Sequence, residues 1–169
     1  MIKVILVEDN FFLQKALEEK LSNFSDIVIK DTAQNGEEAI AILEKNHVVD
    51  LILMDIEMPI MNGIKATEII KSNYPQIKII MITVFDNDEN VFDAIKAGAE
   101  YISCSINGLG ERAGNTSLEE IIMGTKYVLG IEKNYKLKKL IKISELVEEY
   151  SGKKISDTKP IVGKEVFSH

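Results

Sequence analysis

The 169-residue chain has one cysteine, no tryptophan, three prolines and two histidines. A lone thiol, Cys104, excludes an internal disulfide, and nothing in the composition asks for an oxidising compartment. No apolar run approaches the roughly 18 residues that mark a bilayer span. The chain opens directly on an apolar strand pattern without a secretory leader, so the cytoplasm is the expected location and no membrane partner is expected. A net charge of −7 and a pI of about 5.0 exclude the broad basic footprint of a general nucleic-acid binder. Arginine is almost missing as well, Arg112 being the only one. Aspartate all but disappears after residue 100. Residues 1–100 carry nine Lys against eighteen acids, whereas residues 101–169 carry ten Lys and Arg112 against nine acids. The chain therefore reads as two stretches of different composition.

What is present is ordinary for a soluble domain: 46% hydrophobic and 28% charged residues, in a length sufficient to bury a core. Strand and helix patterns alternate from the start. Ile2–Val7 is an apolar run ending in Glu8-Asp9. Asn10 is placed to cap a helix from Phe11 to about Asn23, with Phe12, Ala16, Leu17 and Leu21 at helical spacing. Ile27–Lys30 is a second strand, and Asn35-Gly36 opens a second helix. Leu51–Met54 is a strand ending in Asp55, and Ile64–Asn73 is a helix. Lys78–Ile82 is a strand ending in Thr83. Asn87–Ala97 is a helix closed by Gly98, and Tyr101–Ile106 is a fifth strand. Thr116-Ser117-Leu118-Glu119 has the spacing of a capping box and opens a helix reaching Leu129. A further amphipathic helix spans about Tyr135–Tyr150, and 153–169 reads as an extended tail.

Five strands alternating with helices imply a parallel sheet with right-handed crossovers, and chemistry at the carboxyl ends of the strands. Glu8, Asp9, Asp55 and Thr83 all fall at such ends. Crowded carboxylates call for a hard divalent cation such as Mg²⁺, and an aspartate beside it can attack phosphorus. A neighbouring hydroxyl such as Thr83 can then hold the phosphoryl group.

Three segments carry a family resemblance. They are Ile5-Leu6-Val7-Glu8-Asp9-Asn10, the run Leu53-Met54-Asp55-Ile56-Glu57-Met58-Pro59 through Asn62-Gly63, and Met81-Ile82-Thr83. Over residues 1 to about 99 the chain resembles the receiver domain of two-component response regulators. The resemblance implies a flavodoxin-like, doubly wound sheet of five parallel strands in the order 2-1-3-4-5. It implies that Asp55 is the phosphoacceptor and Thr83 the switch hydroxyl. It further implies that Glu8, Asp9, Asp55 and the backbone carbonyl of Glu57 bind Mg²⁺, with a small phosphodonor or a histidine kinase as partner. The pattern breaks at the fifth strand, where Ser105 stands at the position of the family's lysine and Ile102 at that of its aromatic residue.

The second stretch, Ser105-Ile106-Asn107-Gly108-Leu109-Gly110-Glu111-Arg112-Ala113-Gly114-Asn115-Thr116-Ser117-Leu118-Glu119-Glu120, resembles the last strand, loop and helix of the isopropylmalate/homocitrate synthase barrels. That resemblance covers about 100–169. It places Asn115 beside the synthase metal, but the family's first-strand aspartate and His-x-His pair are absent, since His47 and His169 are not so spaced. No enzyme activity is expected. The sequence reads as an engineered chimera: residues 1–130 a receiver-like domain whose final strand and helix come from a barrel, and residues 131–169 a helix and tail. It is expected to be a monomer or weak homodimer, with no nucleic-acid partner because no helix-turn-helix follows. Two alternatives stand beside this. One is a natural, degenerate receiver acting as a phosphorylation-independent interaction module. The other is an acyl-CoA/2-oxo acid synthase-like enzyme, which the missing metal groups argue against.

Overall fold

The computed structural model describes residues 1–82, 88–110 and 114–166. Its elements are β1 (Ile2–Val7), α1 (Phe11–Ser22), β2 (Ile27–Ala33), α2 (Gly36–Lys45), β3 (Leu51–Met54), α3 (Gly63–Asn73), β4 (Lys78–Met81), α4 (Asp88–Ala97), β5 (Tyr101–Ile102), α5 (Leu118–Tyr127) and α6 (Leu140–Ser151). Short 3₁₀ turns occupy Ile106–Gly108 and Leu137–Lys139. The five strands form one parallel sheet in the order β2-β1-β3-β4-β5, the expected flavodoxin-like arrangement.

The chain folds as two compact units. The first runs through β4 and resumes at Asp93–Ser103; the second takes α4 up to Phe92 and everything from Cys104 onward. The expected division after residue 130 is therefore not the one the fold follows. Helix α5 shares a core with the C-terminal segment, because its apolar positions find their partners there.

In the first unit, alternation along the central strands fills both faces of the sheet. Ile5, Val7, Ile52, Met54, Ile79 and Met81 face one way, with Ala39 and Leu43 of α2 and Ala66 and Ile70 of α3. Val4, Leu6 and Leu53 face the other way, packed by Leu17 and Leu21 of α1. Phe12 and Ala16, expected on that apolar face, are exposed instead, and Gln14 is buried. The Gln14 amide is needed inside: its Nε2 donates to the backbone oxygens of Glu8 (3.2 Å) and Ala33 (3.3 Å), tying α1 to the ends of β1 and β2. Asn10, Asn35 and Asn62 cap α1, α2 and α3, each accepting from backbone N–H groups of the first turn.

Strand β5 has two residues, not the six expected. Its start is clamped by Glu100. Lys71 Nζ (2.7 Å) and Lys78 Nζ (3.2 Å) reach Glu100 Oε1, and the Ile79 N–H donates to Oε2 at 3.0 Å. Burial pushes the Glu100 carboxyl up, but the bonds from Lys71, Ile79 and Lys78 outweigh it and hold the group below its ordinary range. A carboxylate with a depressed pKa stabilises the fold above its unfolded pKa and loses that contribution as pH falls. Glu100→Gln is expected to cost about 1 kcal/mol at pH 7. The difference from wild type should shrink below about pH 4. Urea melts at the two pH values check this.

The second unit is built around Ile122, Leu140 and Val162, with Leu118, Met123, Leu137, Ile155 and Ile161 against them. Residues 153–166 are thus not an extended tail. They turn back so that Val162 is buried, and Lys159 pairs with Glu120 at 3.2 Å. A run without periodicity gave no sign of this, because its three apolar contacts are tertiary. The chain leaves the sheet after Ser103. Ser105 bridges Ser117 in parallel, and Asn107 takes a left-handed conformation (φ 62°) inside the 3₁₀ turn. The capping box does not close in its usual way. Ser117 Oγ donates to Glu119 Oε2 (3.0 Å), and Glu119 Oε1 accepts from the Asn107 N–H (2.8 Å) rather than from the cap backbone. The buried Glu119 thereby fixes the left-handed turn. Asn107 is also bonded to Ser144 of α6 through both its side-chain oxygen and nitrogen.

Candidate metal and phosphoacceptor centre

Register decides which side chains meet. Val7, Met54 and Met81 lie level across β1, β3 and β4, so the next residues emerge together at the carboxyl edge. The ladder continues one step further. The Asp55 N–H donates to the Val7 oxygen (2.9 Å), the Glu8 N–H to Ala33 (3.0 Å) and the Ile82 N–H to Met54 (2.8 Å). Glu8 and Asp55 are therefore held on backbone that still belongs to the sheet, not on free loops.

Glu8, Asp9 and Asp55 form the carboxylate cluster, each with an oxygen within 4.8 Å of the others'. Glu8 and Asp55 are buried and Asp9 is exposed. Burial is the largest influence on Asp55, followed by the Glu8 charge; the Ile56 N–H opposes them, and Asp9 and Glu57 push the same way as Glu8. Together they raise the Asp55 carboxyl from 3.8 to about 7. Glu8 is raised chiefly by burial, then held back by the Asn10 N–H at 3.0 Å, with Asp9 adding repulsion. Three acids this close oppose one another, and among the described residues no cationic side chain is paired with any of them. A compact, all-oxygen donor set of this charge fits a hard divalent cation.

Glu57 has an exposed side chain and enters the field at Asp55 as a further negative charge. The segment after Asp55 is shaped by two backbone features. Ile60 is left-handed (φ 67°), and the Gly63 N–H donates to the Ile56 oxygen at 2.9 Å, folding the 56–63 loop back under the strand end. A Cβ on Gly63 would lie 2.0 Å from the backbone oxygen of Asp55, so only glycine lets α3 start there. The Gly36 N–H donates to the Met61 oxygen (2.9 Å), which anchors the same loop to α2. Sequence reasoning found the acids at strand ends but not this loop closure; the Asn62-Gly63 step was its only signal. Thr83 and Arg112 lie outside the described residues.

Residues 4–103 match the response regulator receiver domain family, and the chain belongs to it. The response regulator protein VraR of Staphylococcus aureus is 32% identical over 185 residues, covering 99% of this chain and 86% of that protein. The response regulator domain of Thermotoga maritima CheB shares the fold at a TM-score of 0.57 and 25% identity, over 77% of this chain and 92% of that one. The CheX-CheY-BeF3-Mg+2 complex from Borrelia burgdorferi, at 24% identity and the same TM-score, is alike in fold.

Residues 89–147 match a second family, described as HMGL-like. The 2-isopropylmalate synthase of Methanocaldococcus jannaschii is 46% identical over 80 residues, which is 47% of this chain but 15% of the synthase. A probable 2-isopropylmalate synthase of Archaeoglobus fulgidus is 33% identical over 130 residues, 26% of its length. The chain thus carries a receiver joined to a short piece similar to the synthases. The two matches overlap over residues 89–103.

Proposed function

We propose that the first unit is a phosphoacceptor domain in which Asp55 takes a phosphoryl group at a Mg²⁺-dependent site. The observation that carries this is the convergence of Glu8, Asp9 and Asp55 within 4.8 Å on a rigid sheet edge. The three carboxylates, with the backbone carbonyl of Glu57, would hold Mg²⁺, which supplies charge neutralisation for an incoming phosphoryl group. The ionised Asp55 oxygen attacks phosphorus of an acyl phosphate or a phosphohistidine. The bond from phosphorus to the donor breaks, the donor leaves with the electron pair, and an aspartyl phosphate remains. Burial of Asp55 limits water at the new acyl phosphate. Thr83, the residue after Ile82 at the end of β4, is assigned as the hydroxyl that bonds the phosphoryl group. Ser105 offers no positive charge where the family has a lysine, so the phosphorylated state is expected to switch poorly.

The same reading treats the synthase-like stretch as structural. An engineered fusion of the two families, without a physiological role of its own, accounts for the overlap of the two matches inside one α4–β5 segment. Incubation with acetyl phosphate and Mg²⁺, followed by intact mass, should add one phosphoryl group to wild type and none to Asp55→Asn. Absence of added mass in wild type at millimolar donor, with Mg²⁺ present, would refute the assignment.

A further inference from the structure

Helix α6 is used on one side only. Leu140 and Ser144 are buried, Leu140 in the core of the second unit and Ser144 against Asn107. On the flank beside them, Ile143, Leu146 and Tyr150 are exposed, at 37%, 41% and 85%. These three follow the spacing i, i+3, i+7, which is the a-d-a seam of a coiled coil. Lys142 and Glu149 lie seven residues apart on the outer edge of that seam, at equivalent g positions.

The charges of α6 are ordered against its own dipole. Lys138, Lys139 and Lys142 gather at the amino end, Glu148 and Glu149 stand in the last turn, and Glu145 lies between them in mid-helix. Cations at a helix N-terminus and anions at a C-terminus both oppose the helix dipole. Among the described residues, none of the six takes part in an ion pair. Nothing within the unit therefore accounts for this order.

We infer that the Ile143-Leu146-Tyr150 seam is a self-association surface on which a second copy of the chain docks its own α6 antiparallel. The choice of occupant follows from charge. A helix that is basic at one end and acidic at the other is complementary to itself when reversed. In an antiparallel pair, g faces g′. With Ile143 of each copy packed against Leu146 of the other, a against d′ across the twofold axis, Lys142 of each copy lies beside Glu149 of the other. In a parallel pair g faces e′ instead, which sets Lys142 beside Val147 and leaves it without an acidic partner. The reversed pair also brings an acidic end to each basic helix N-terminus and relieves the dipole conflict twice. The seam is short, so association is concentration-dependent, and it weakens as salt screens the ion pairs.

Sedimentation velocity over about 1–500 μM of the full chain tests this, with far-UV CD to verify folding. Wild type is expected to move from monomer to dimer across the range. Lys142→Glu and Glu149→Lys, each at an exposed site, are each expected to raise the dissociation constant about tenfold or more, because every reversal acts in both symmetric pairs. An equimolar mixture of the two variants is expected to recover association, since one then presents glutamates and the other lysines. A wild type that stays monomeric throughout overturns the inference. So does a dimer that both single variants keep, or a mixture that associates no better than its parts.

Discussion

At pH 7.5 and without divalent cations, Asp55→Asn is expected to be more stable than wild type, by a few kcal/mol at most. The Asp55 carboxyl is raised to about 7 by burial and by Glu8. A group whose folded pKa lies above its unfolded value gives full stability below the unfolded value. It loses that contribution as pH rises through the folded one. Metal-free wild type should therefore weaken from about pH 4 to pH 7, as the folded state is forced to ionise a carboxyl that the unfolded chain ionises freely. Asparagine keeps the shape and removes the charge, so the variant should lack most of this slope. Adding Mg²⁺ should reverse the order. A ligand that binds only the folded state stabilises it by mass action, and wild type keeps the full donor set. Thermal melts at pH 5 and pH 7.5, with and without 10 mM Mg²⁺, check both signs; Mg²⁺ at a hundredfold its dissociation constant would add ~2.7 kcal/mol. A wild type whose melting point ignores Mg²⁺ at pH 7.5 would show that the carboxylates do not act together.

Gly63→Ala is expected to damage stability and the site at once. The added methyl carbon would sit 2.0 Å from the Asp55 oxygen and 2.9 Å from Met54 Cγ. The first neighbour is backbone at a sheet end and cannot rotate away. Either α3 retreats or the Asp55 peptide moves, and the cost is expected to be about 3 kcal/mol or more. Because Asp55 is carried on that peptide, Mg²⁺ affinity should fall too. Gly130→Ala is the control: it has a left-handed φ of 66° and nothing within 4 Å, so only about 1 kcal/mol of backbone strain is expected there. Denaturant melts of both variants, with calorimetric Mg²⁺ titration of the first, separate packing from backbone conformation. Equal, small losses in the two would remove the argument that α3 needs glycine to approach the site.

The sheet and its acids were legible because both follow from local rules. Apolar runs of four to six residues ending in Glu8, Asp55 or Ile82 define strand ends, and asparagines at positions 10 and 35 define helix starts, whereas the Asn62 cap of α3 reads only as part of a loop. What depends on distant partners was not legible. Nothing local shows that Ser105 pairs with Ser117 or that Glu119 turns to the Asn107 N–H, so local pattern predicts a fifth strand longer than the real one and a conventional capping box that does not form. Gln14 and Phe12 exchange the places that periodicity gave them, because two backbone oxygens at the sheet edge need a donor. The fold of residues 153–166 rests on Ile155, Ile161 and Val162 meeting Ile122 and Leu140, contacts with no spacing of their own.

The asparagine caps bear on how the protein ages. Asn35-Gly36 and Asn62-Gly63 are sequences in which the glycine nitrogen readily attacks the side-chain carbonyl and expels its amide nitrogen as ammonia, closing a succinimide that water opens to isoaspartate. In the folded chain both reactants are engaged. The Asn35 and Asn62 oxygens accept from Glu38 and Lys65, and the nitrogens of Gly36 and Gly63 donate to Met61 and Ile56. Cyclisation must first pull a cap off its helix. Isoaspartate at these two steps would therefore accumulate in proportion to time spent unfolded, leaving in the covalent chain a record of how often the sheet edge has opened.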